Sequence, residues 1–418
     1  MFRRFLTTPV PGSGPTLIDE EDEDQLIEEV VCKASDVPNG TKKEVEVHGR
    51  KLLVINDNGV FHCINGVCAH FGLPLVNGIF ANGKLRCPFH SACYNVWTGD
   101  IEDYPSFDSL NVYKVRQDGD DLIVSGTEAS FSSNRRTRRI PPFVVTKEAP
   151  IIVVGSGPSG QTLVENLRIA GCTLPVMMIT QEAHKPYDRV RLSKRLGVDV
   201  NEIRMRTDDY YVANKIDIVN STEVIDVDVQ LHRVFLSDGS SLPYSKLVLA
   251  IGPKVRKLPN KGAELKGVHT LRFVEDSAGI AADAQGEDVV CVGASFIGME
   301  CAASLQASAK SITVICSTEE PLPAFTTDVG RSLRKFFESR GVVIFTRARL
   351  DSLEGDEERH VKEIVLADGR RMPARCVIVG IGVDANTAWL NGKVATDNRG
   401  FIVVDEQFRT NAQDVYAI

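Results

Sequence analysis

Two short segments carry the side chains best able to hold a metal: Cys68-Ala69-His70 and Cys87-Pro88-Phe89-His90. Sixteen residues separate His70 from Cys87. Two thiolates and two imidazoles suit either a tetrahedral zinc ion or a [2Fe–2S] cluster, in which one iron takes the thiolates and the other the imidazoles. Zinc sites of this composition usually pair like ligands, Cys with Cys and His with His, inside each short segment. Here each segment supplies one of each, which favours two irons bridging the two segments. Imidazole is neutral where thiolate is charged, so such a cluster accepts an electron more readily than one with four thiolates. Gly72-Leu73-Pro74-Leu75 follows the first segment, and Tyr94 and Thr98-Gly99-Asp100 follow the second. That composition places both ligand pairs at loop tips between short strands.

The two segments resemble the ligand loops of Rieske proteins, which implies Cys68, His70, Cys87 and His90 as the metal ligands. Quinol-oxidising Rieske proteins add a bridging Cys to each loop; Leu73 and Phe89 stand near those places here. The chain is therefore closer to the ferredoxin-type subclass. High-potential members also set a Ser hydroxyl against a cluster sulfur. Ala92 takes that position, while Tyr94 keeps a second donor, so the resemblance implies a lowered potential. Ser91 stands where most relatives have Gly.

Two further motifs suit nucleotides. The run Ile151-Ile152-Val153-Val154 leads into Gly155-Ser156-Gly157-Pro158-Ser159-Gly160 and then a helical pattern through Leu163, Leu167 and Ala170. Gly155 permits the tight turn, Gly157 the approach of a pyrophosphate, and Gly160 close helix packing. Glu182 follows the next apolar run, where an acid would bind the adenosine ribose. A second unit runs Val289-Val290-Cys291-Val292, then Gly293-Ala294-Ser295-Phe296-Ile297-Gly298-Met299-Glu300. Ser295 replaces the middle glycine, and its side chain is expected to crowd the pyrophosphate. The next strand ends at Cys316, where an acid is expected in NAD-preferring units. Glu319 or Glu320 is the expected substitute, and no Arg appears before Arg331, so NADH is favoured over NADPH.

Lys185-Pro186-Tyr187-Asp188-Arg189 and Leu192-Ser193-Lys194 resemble the P-Y-x-R…L-S-K segment of FAD-dependent ferredoxin reductases and of apoptosis-inducing factor. The resemblance implies FAD in the first unit, Arg189 near its phosphates, Lys194 near flavin N5, and Glu300 as the acid that pairs with Lys194. A cation at N5 would stabilise the charge of the reduced flavin. The segment has no Cys pair, which disulfide reductases of the same fold place against the flavin. The last residues, Thr410 to Ile418, resemble the second FAD fingerprint, which continues with Gly-Asp in the family. Against that resemblance the chain is a C-terminally truncated member.

The elements that must position these groups follow from pattern and size. The 418 residues allow about three domains. Residues 26–126 read as short β runs punctuated by Asn39-Gly40, Asn58-Gly59, Asn82-Gly83 and Asp118-Gly119, an antiparallel β domain. Residues 127–147 are rich in Ser and Arg and read as a solvated linker with a mean reach of about 25 Å. Strand, Gly-rich turn and helix then alternate twice, giving nested Rossmann-type units: 148–268 for FAD, 269–397 for NAD(P)H and 398–418 as the return to the FAD unit. Residues 1–25 are expected to be a disordered acidic tail, although Met1-Phe2-Arg3-Arg4 resembles the start of a mitochondrial presequence.

A net charge of −8 argues against general nucleic-acid binding. No apolar run is long enough to span a bilayer. The other eight of the ten Cys lie in or beside apolar runs, which suggests reduced thiols and a mitochondrial or cytoplasmic setting. As a whole the chain resembles the apoptosis-inducing factor 3-like oxidoreductases. That resemblance implies a multidomain fold and an enzyme passing electrons from NAD(P)H through FAD to one [2Fe–2S] cluster and an unknown one-electron acceptor, with a link to apoptosis. Two other functions stay open: a redox-sensing pro-apoptotic scaffold, and an iron–sulfur binding module with an inactive reductase half.

Overall fold

The computed structural model describes residues 26–418, so the expected acidic tail over 1–25 lies outside the described residues. The chain divides into two units, one ending at Ile140 and the other beginning at Pro141.

The first unit is built from hairpins. Its strands are β1 (Leu26–Lys33), β2 (Lys42–Val47), β3 (Arg50–Asp57), β4 (Val60–Asn65), β5 (Ile79–Ala81), β6 (Lys84–Arg86), β7 (Cys93–Asn95), β8 (Ile101–Asp103), β9 (Val112–Asp118) and β10 (Asp121–Thr127). Asn58-Gly59 joins β3 to β4 and Asn82-Gly83 joins β5 to β6, with both residues of each pair at positive φ. That is the two-residue turn whose twist matches antiparallel strands. His48-Gly49 makes a similar turn between β2 and β3, which the sequence did not signal because His is an uncommon turn residue. Along β2 the alternation holds: Val45 and Val47 are buried and Glu46 is exposed. The larger sheet has the order β1-β10-β9-β4-β3-β2, and a smaller one the order β5-β6-β7-β8. The smaller sheet carries the second ligand loop between β6 and β7, and the first loop joins β4 to β5.

The reach of this unit extends past residue 126. Thr127 caps the helix Glu128–Ser132 by accepting from the Ser130 N–H at 3.2 Å. Phe131 is buried and stacks on Tyr113 at 4.9 Å. Ser109 and Arg136 then exchange two backbone hydrogen bonds of 2.9 Å, and the Arg136 guanidinium meets Asp100 at 2.6 Å. The start of the expected solvated linker is thus part of the first unit. Composition suggested otherwise because Ser and Arg are equally at home in solvent and in backbone-bonding roles.

The second unit holds two parallel sheets. The first has the order Ile216–Val219, Val176–Ile179, Ile151–Val154, Lys246–Leu249, Val415–Ala417. The second has the order Val268–Thr270, Cys376–Val379, Asp288–Val292, Ser311–Ile315, Val343–Phe345. The return of Val415–Ala417 to the first sheet confirms the nesting. Each sheet is accompanied by a three-stranded antiparallel sheet.

Two buried charged side chains inside this unit, Arg168 and Glu165, are held by dense hydrogen bonding. Arg168 is fully buried and donates to four backbone carbonyls, those of Asn214, Cys172, Leu174 and Lys215. Glu165, on the helix Pro158–Ile169, takes a bidentate pair from Arg206 at 2.9 and 3.0 Å, with both side chains under 7% exposed. Removing one member of a buried pair strands the other charge. Glu165→Ala is therefore expected to lower unfolding free energy by about 3–5 kcal/mol, read as a shifted urea midpoint. A loss below about 1 kcal/mol would show the pair to be dispensable.

Three buried thiols lie in the second unit, apart from the ligand loops. Cys291, Cys301 and Cys376 are fully buried in the core of the second sheet, and all ten cysteines are free.

Candidate iron–sulfur and nucleotide sites

The two ligand loops are built alike. The Cys68 N–H donates to the Leu73 carbonyl and the Gly72 N–H to the Cys68 carbonyl, both at 2.8 Å. In the second loop the Cys87 N–H donates to the Ala92 carbonyl at 2.8 Å and the Ser91 N–H to the Cys87 carbonyl at 3.1 Å. Each arch needs a left-handed residue: Gly72 at φ +73° and Ser91 at φ +65°. Serine in that region costs roughly 1 kcal/mol more than glycine. Arg86 steadies it by donating to the Ser91 carbonyl at 2.8 Å while pairing with Asp103.

These loops bring like ligands together. Cys68 and Cys87 are both 2% exposed and their thiols interact. The His70 and His90 rings meet edge to face at 5.0 Å. A two-iron cluster asks for this separation of thiols from imidazoles. This segregation, thiols on one side and imidazoles on the other, fits the cluster. Burial pushes the Cys68 thiol up, so a metal must displace a tightly held proton there. The Tyr94 hydroxyl lies 3.1 Å from Cys68 Sγ and accepts from the Ala69 N–H at 3.2 Å. Tyr94 is fully buried, and burial raises its hydroxyl strongly, so it remains a donor. His90 is exposed, and Phe71 packs on both imidazoles at 4.0 and 5.5 Å.

The first nucleotide cradle follows from its glycines. Gly155 sits at φ +108°, and a Cβ there would run into the Ala250 carbonyl oxygen. A Cβ on Gly160 would strike the Gly155 carbonyl oxygen. A Cβ on Gly157, at the start of the helix Pro158–Ile169, would meet nothing closer than Arg189 Nε at 3.9 Å. That space is where a pyrophosphate approaches a helix N-terminus. Arg189 faces it with a buried Nε that has no hydrogen-bond partner, while its other nitrogens bind Glu182, the Tyr187 hydroxyl and the Arg272 carbonyl. Glu182 also accepts from Tyr187 at 2.6 Å. The acid expected at the ribose is thus anchored by Arg189 and Tyr187, with lone pairs to spare. An open cradle with an unpartnered guanidinium N–H at its rim fits FAD.

Arg272 was not foreseen. Its guanidinium lies beside Gly252, and burial, then repulsion from Arg189, lowers its proton affinity. Two neighbouring guanidiniums at a glycine-lined cradle suit an anionic ligand. No local motif marks Arg272, and only the fold brings it across from the Lys185–Arg189 segment. Ser193 is likewise marked in the sequence only as part of a motif, and only the fold brings it to Glu300.

The second cradle repeats the first. Gly293 sits at φ +105° against the Gly380 carbonyl, and a Cβ on Gly298 would strike the Gly293 carbonyl oxygen. Ser295 precedes the helix Phe296–Ser304 with extended backbone angles of −92° and −165°, close to those of Gly157. Its backbone therefore tolerates a side chain, and the expected crowding concerns only the space above it. Glu300, from this helix, crosses to the first half: it meets Lys194 Nζ at 2.8 Å and accepts from Ser193 Oγ at 2.5 Å. The pairing foreseen from the motif is present, 106 residues apart in sequence.

Comparison with known proteins agrees with this anatomy. The Rieske [2Fe-2S] domain family matches residues 28–114, and the pyridine nucleotide-disulphide oxidoreductase family matches residues 149–418. Apoptosis-inducing factor 3 of Homo sapiens is 35% identical, covering 99% of this chain and 68% of its own length. Rubredoxin-NAD(+) reductase of Pseudomonas putida is 32% identical over 64% of this chain and 70% of its own. The crystal structure of a ferredoxin reductase from Rhodopseudomonas palustris superposes with a TM-score of 0.61 at 26% identity, over 65% of this chain and 68% of that one. The chain belongs to the pyridine nucleotide-disulphide oxidoreductases, and within them to the apoptosis-inducing factor 3-like proteins that carry a Rieske domain ahead of the reductase.

Proposed function

We propose that this chain oxidises NAD(P)H and delivers the electrons singly, by way of FAD and a Rieske cluster, to a one-electron acceptor. When bound, FAD accepts two electrons from the nicotinamide and yields them one at a time, and the cluster carries single electrons. The observation that carries the reading is at Lys194. Where disulfide-reducing relatives of the fold present a pair of thiols, this chain presents an ammonium held by Glu300. A thiol exit is thus replaced by a charge that steadies a reduced ring, while the ligand loops supply a one-electron exit in the same polypeptide.

The chain's own residues have separate duties. Gly157 and Gly298 leave room for phosphates at two helix N-termini. Arg189 and Arg272 balance the charge of the first of these. Lys194 opposes negative charge developing on the ring, and Ser193 and Glu300 fix its position. Tyr94 donates toward the Cys68 sulfur and so favours the reduced cluster. His90 and Phe71 present the face from which an acceptor takes an electron. The eight cysteines outside the ligand set form no disulfide, which supports a reducing compartment, and no helix among the described residues is long and apolar enough to cross a membrane.

The test is an anaerobic NADH titration of the full chain loaded with iron, sulfide and FAD, followed by visible absorbance and electron paramagnetic resonance. Cluster reduction is expected to follow flavin bleaching. Bleaching with a cluster that stays oxidised would exclude the internal relay. The name of the mammalian relatives, apoptosis-inducing factor 3, links them to apoptosis. If that link extends to this chain as a scaffold role, Cys68 and Lys194 variants keep the cellular effect; if turnover causes it, they lose it.

A further inference from the structure

We propose that Arg347 reads the 2′ position of the nicotinamide nucleotide, so that the second cradle takes NADPH as well as NADH. This rests on the reading of that cradle as an NAD(P)H site. Ligands of parallel sheets lie beyond the C-terminal ends of the strands, and the strand after the glycine turn meets the adenosine ribose. Here that strand, Ser311–Ile315, ends at Cys316, which is fully buried with its Sγ 3.2 Å from Thr318 Oγ1. It offers the ribose nothing.

The two acids that follow are both taken by arginines. Glu320 turns inward, 8% exposed, and binds Arg334 at 2.7 and 3.1 Å and Arg331 at 3.4 Å. Arg334 holds its carboxyl below the usual range. Glu319 stays in the exposed loop, and its carboxylate meets Arg347 at 3.1 Å. Arg347 arrives from the end of the neighbouring parallel strand, Val343–Phe345. Its N–H donates to the Thr318 carbonyl at 2.9 Å, which ties the two strand-end loops together. It adopts φ +53°, the left-handed region, without being glycine.

The pair is built to be exchanged. The Glu319 and Arg347 side chains are 58% and 71% exposed, and an ion pair that open is weak. A 2′-phosphate offers Arg347 a bidentate partner of higher charge and displaces Glu319. A 2′-hydroxyl instead donates to Glu319. One pair therefore serves both nucleotides, and Ser317 adds an exposed hydroxyl beside it.

The experiment measures equilibrium binding of 2′,5′-ADP and of 5′-AMP to the full chain by calorimetry, together with the NADPH:NADH ratio of kcat/KM. Wild type is expected to bind 2′,5′-ADP the more tightly. Arg347→Ala is expected to lower that preference and the kinetic ratio roughly tenfold, and Glu319→Gln to raise both. Arg347→Ala weakening both fragments equally, or changing neither, would overturn the assignment, as would a wild-type preference for 5′-AMP. If neither fragment binds and neither nucleotide bleaches the flavin, the cradle itself has been misread and the proposal falls with it.

Discussion

Cys87→Ser is expected to abolish the cluster while leaving the flavin in place. Cys87 is 2% exposed and shares the thiol side of the site with Cys68, so its sulfur sits where solvent has little access. A serine oxygen is a harder and less readily ionised ligand than a thiolate. The loop itself survives, because its closing bonds are made by the backbone of Cys87, Ser91 and Ala92. The expected result is loss of cluster absorbance and of its paramagnetic signal, with bound FAD per chain and NADH bleaching unchanged. Electron delivery to a one-electron acceptor falls to background. Iron retained at two atoms per chain would show that the ligand set is wrong.

Lys194→Met is expected to slow flavin reduction by NADH roughly a hundredfold. The side chain's length is kept and its charge removed, so under the proposed role the ring loses the cation that opposes its developing charge. Glu300→Gln is expected to cost about tenfold, because it keeps an oxygen for Lys194 but loses the charge that fixes it. Stability separates this from a structural role. The Lys194 and Glu300 side chains are 37% and 30% exposed, and a pair that open is worth less than about 1 kcal/mol. The urea midpoint should hardly move while the rapid-mixing rate collapses. A large loss of stability with an unaltered rate per bound flavin would assign the pair to packing.

What the sequence revealed was whatever chemistry is local. Asn58-Gly59 and Asn82-Gly83 announce their hairpins because both turn residues must take positive φ. The glycine turns announce their cradles because Gly155 and Gly293 face carbonyl oxygens that no Cβ could accept. Even the distant Lys194–Glu300 pair was legible, but only through resemblance. Arg272 was hidden, because its value lies in standing beside Arg189, and nothing in Leu271-Arg272-Phe273 encodes that neighbour. The ends of the strands were misleading for the same reason. Glu320 was a candidate for the ribose, yet it faces Arg334 from the helix Thr327–Glu338, a partner set by the helix's packing. Arg136 looked solvated because its partners, Ser109 and Asp100, lie far back in the chain.

The buried cysteines of the second sheet bear on durability. Oxidants such as peroxide attack sulfur as thiolate. Burial pushes Cys301 and Cys376 up to about 12 and Cys291 well above its ordinary value. At neutral pH these three are inert hydrocarbon-like filler, proton on and wall closed. These three thus offer an oxidant no target, and first damage to sulfur outside the ligand loops should fall on the half-buried Cys32 and Cys172.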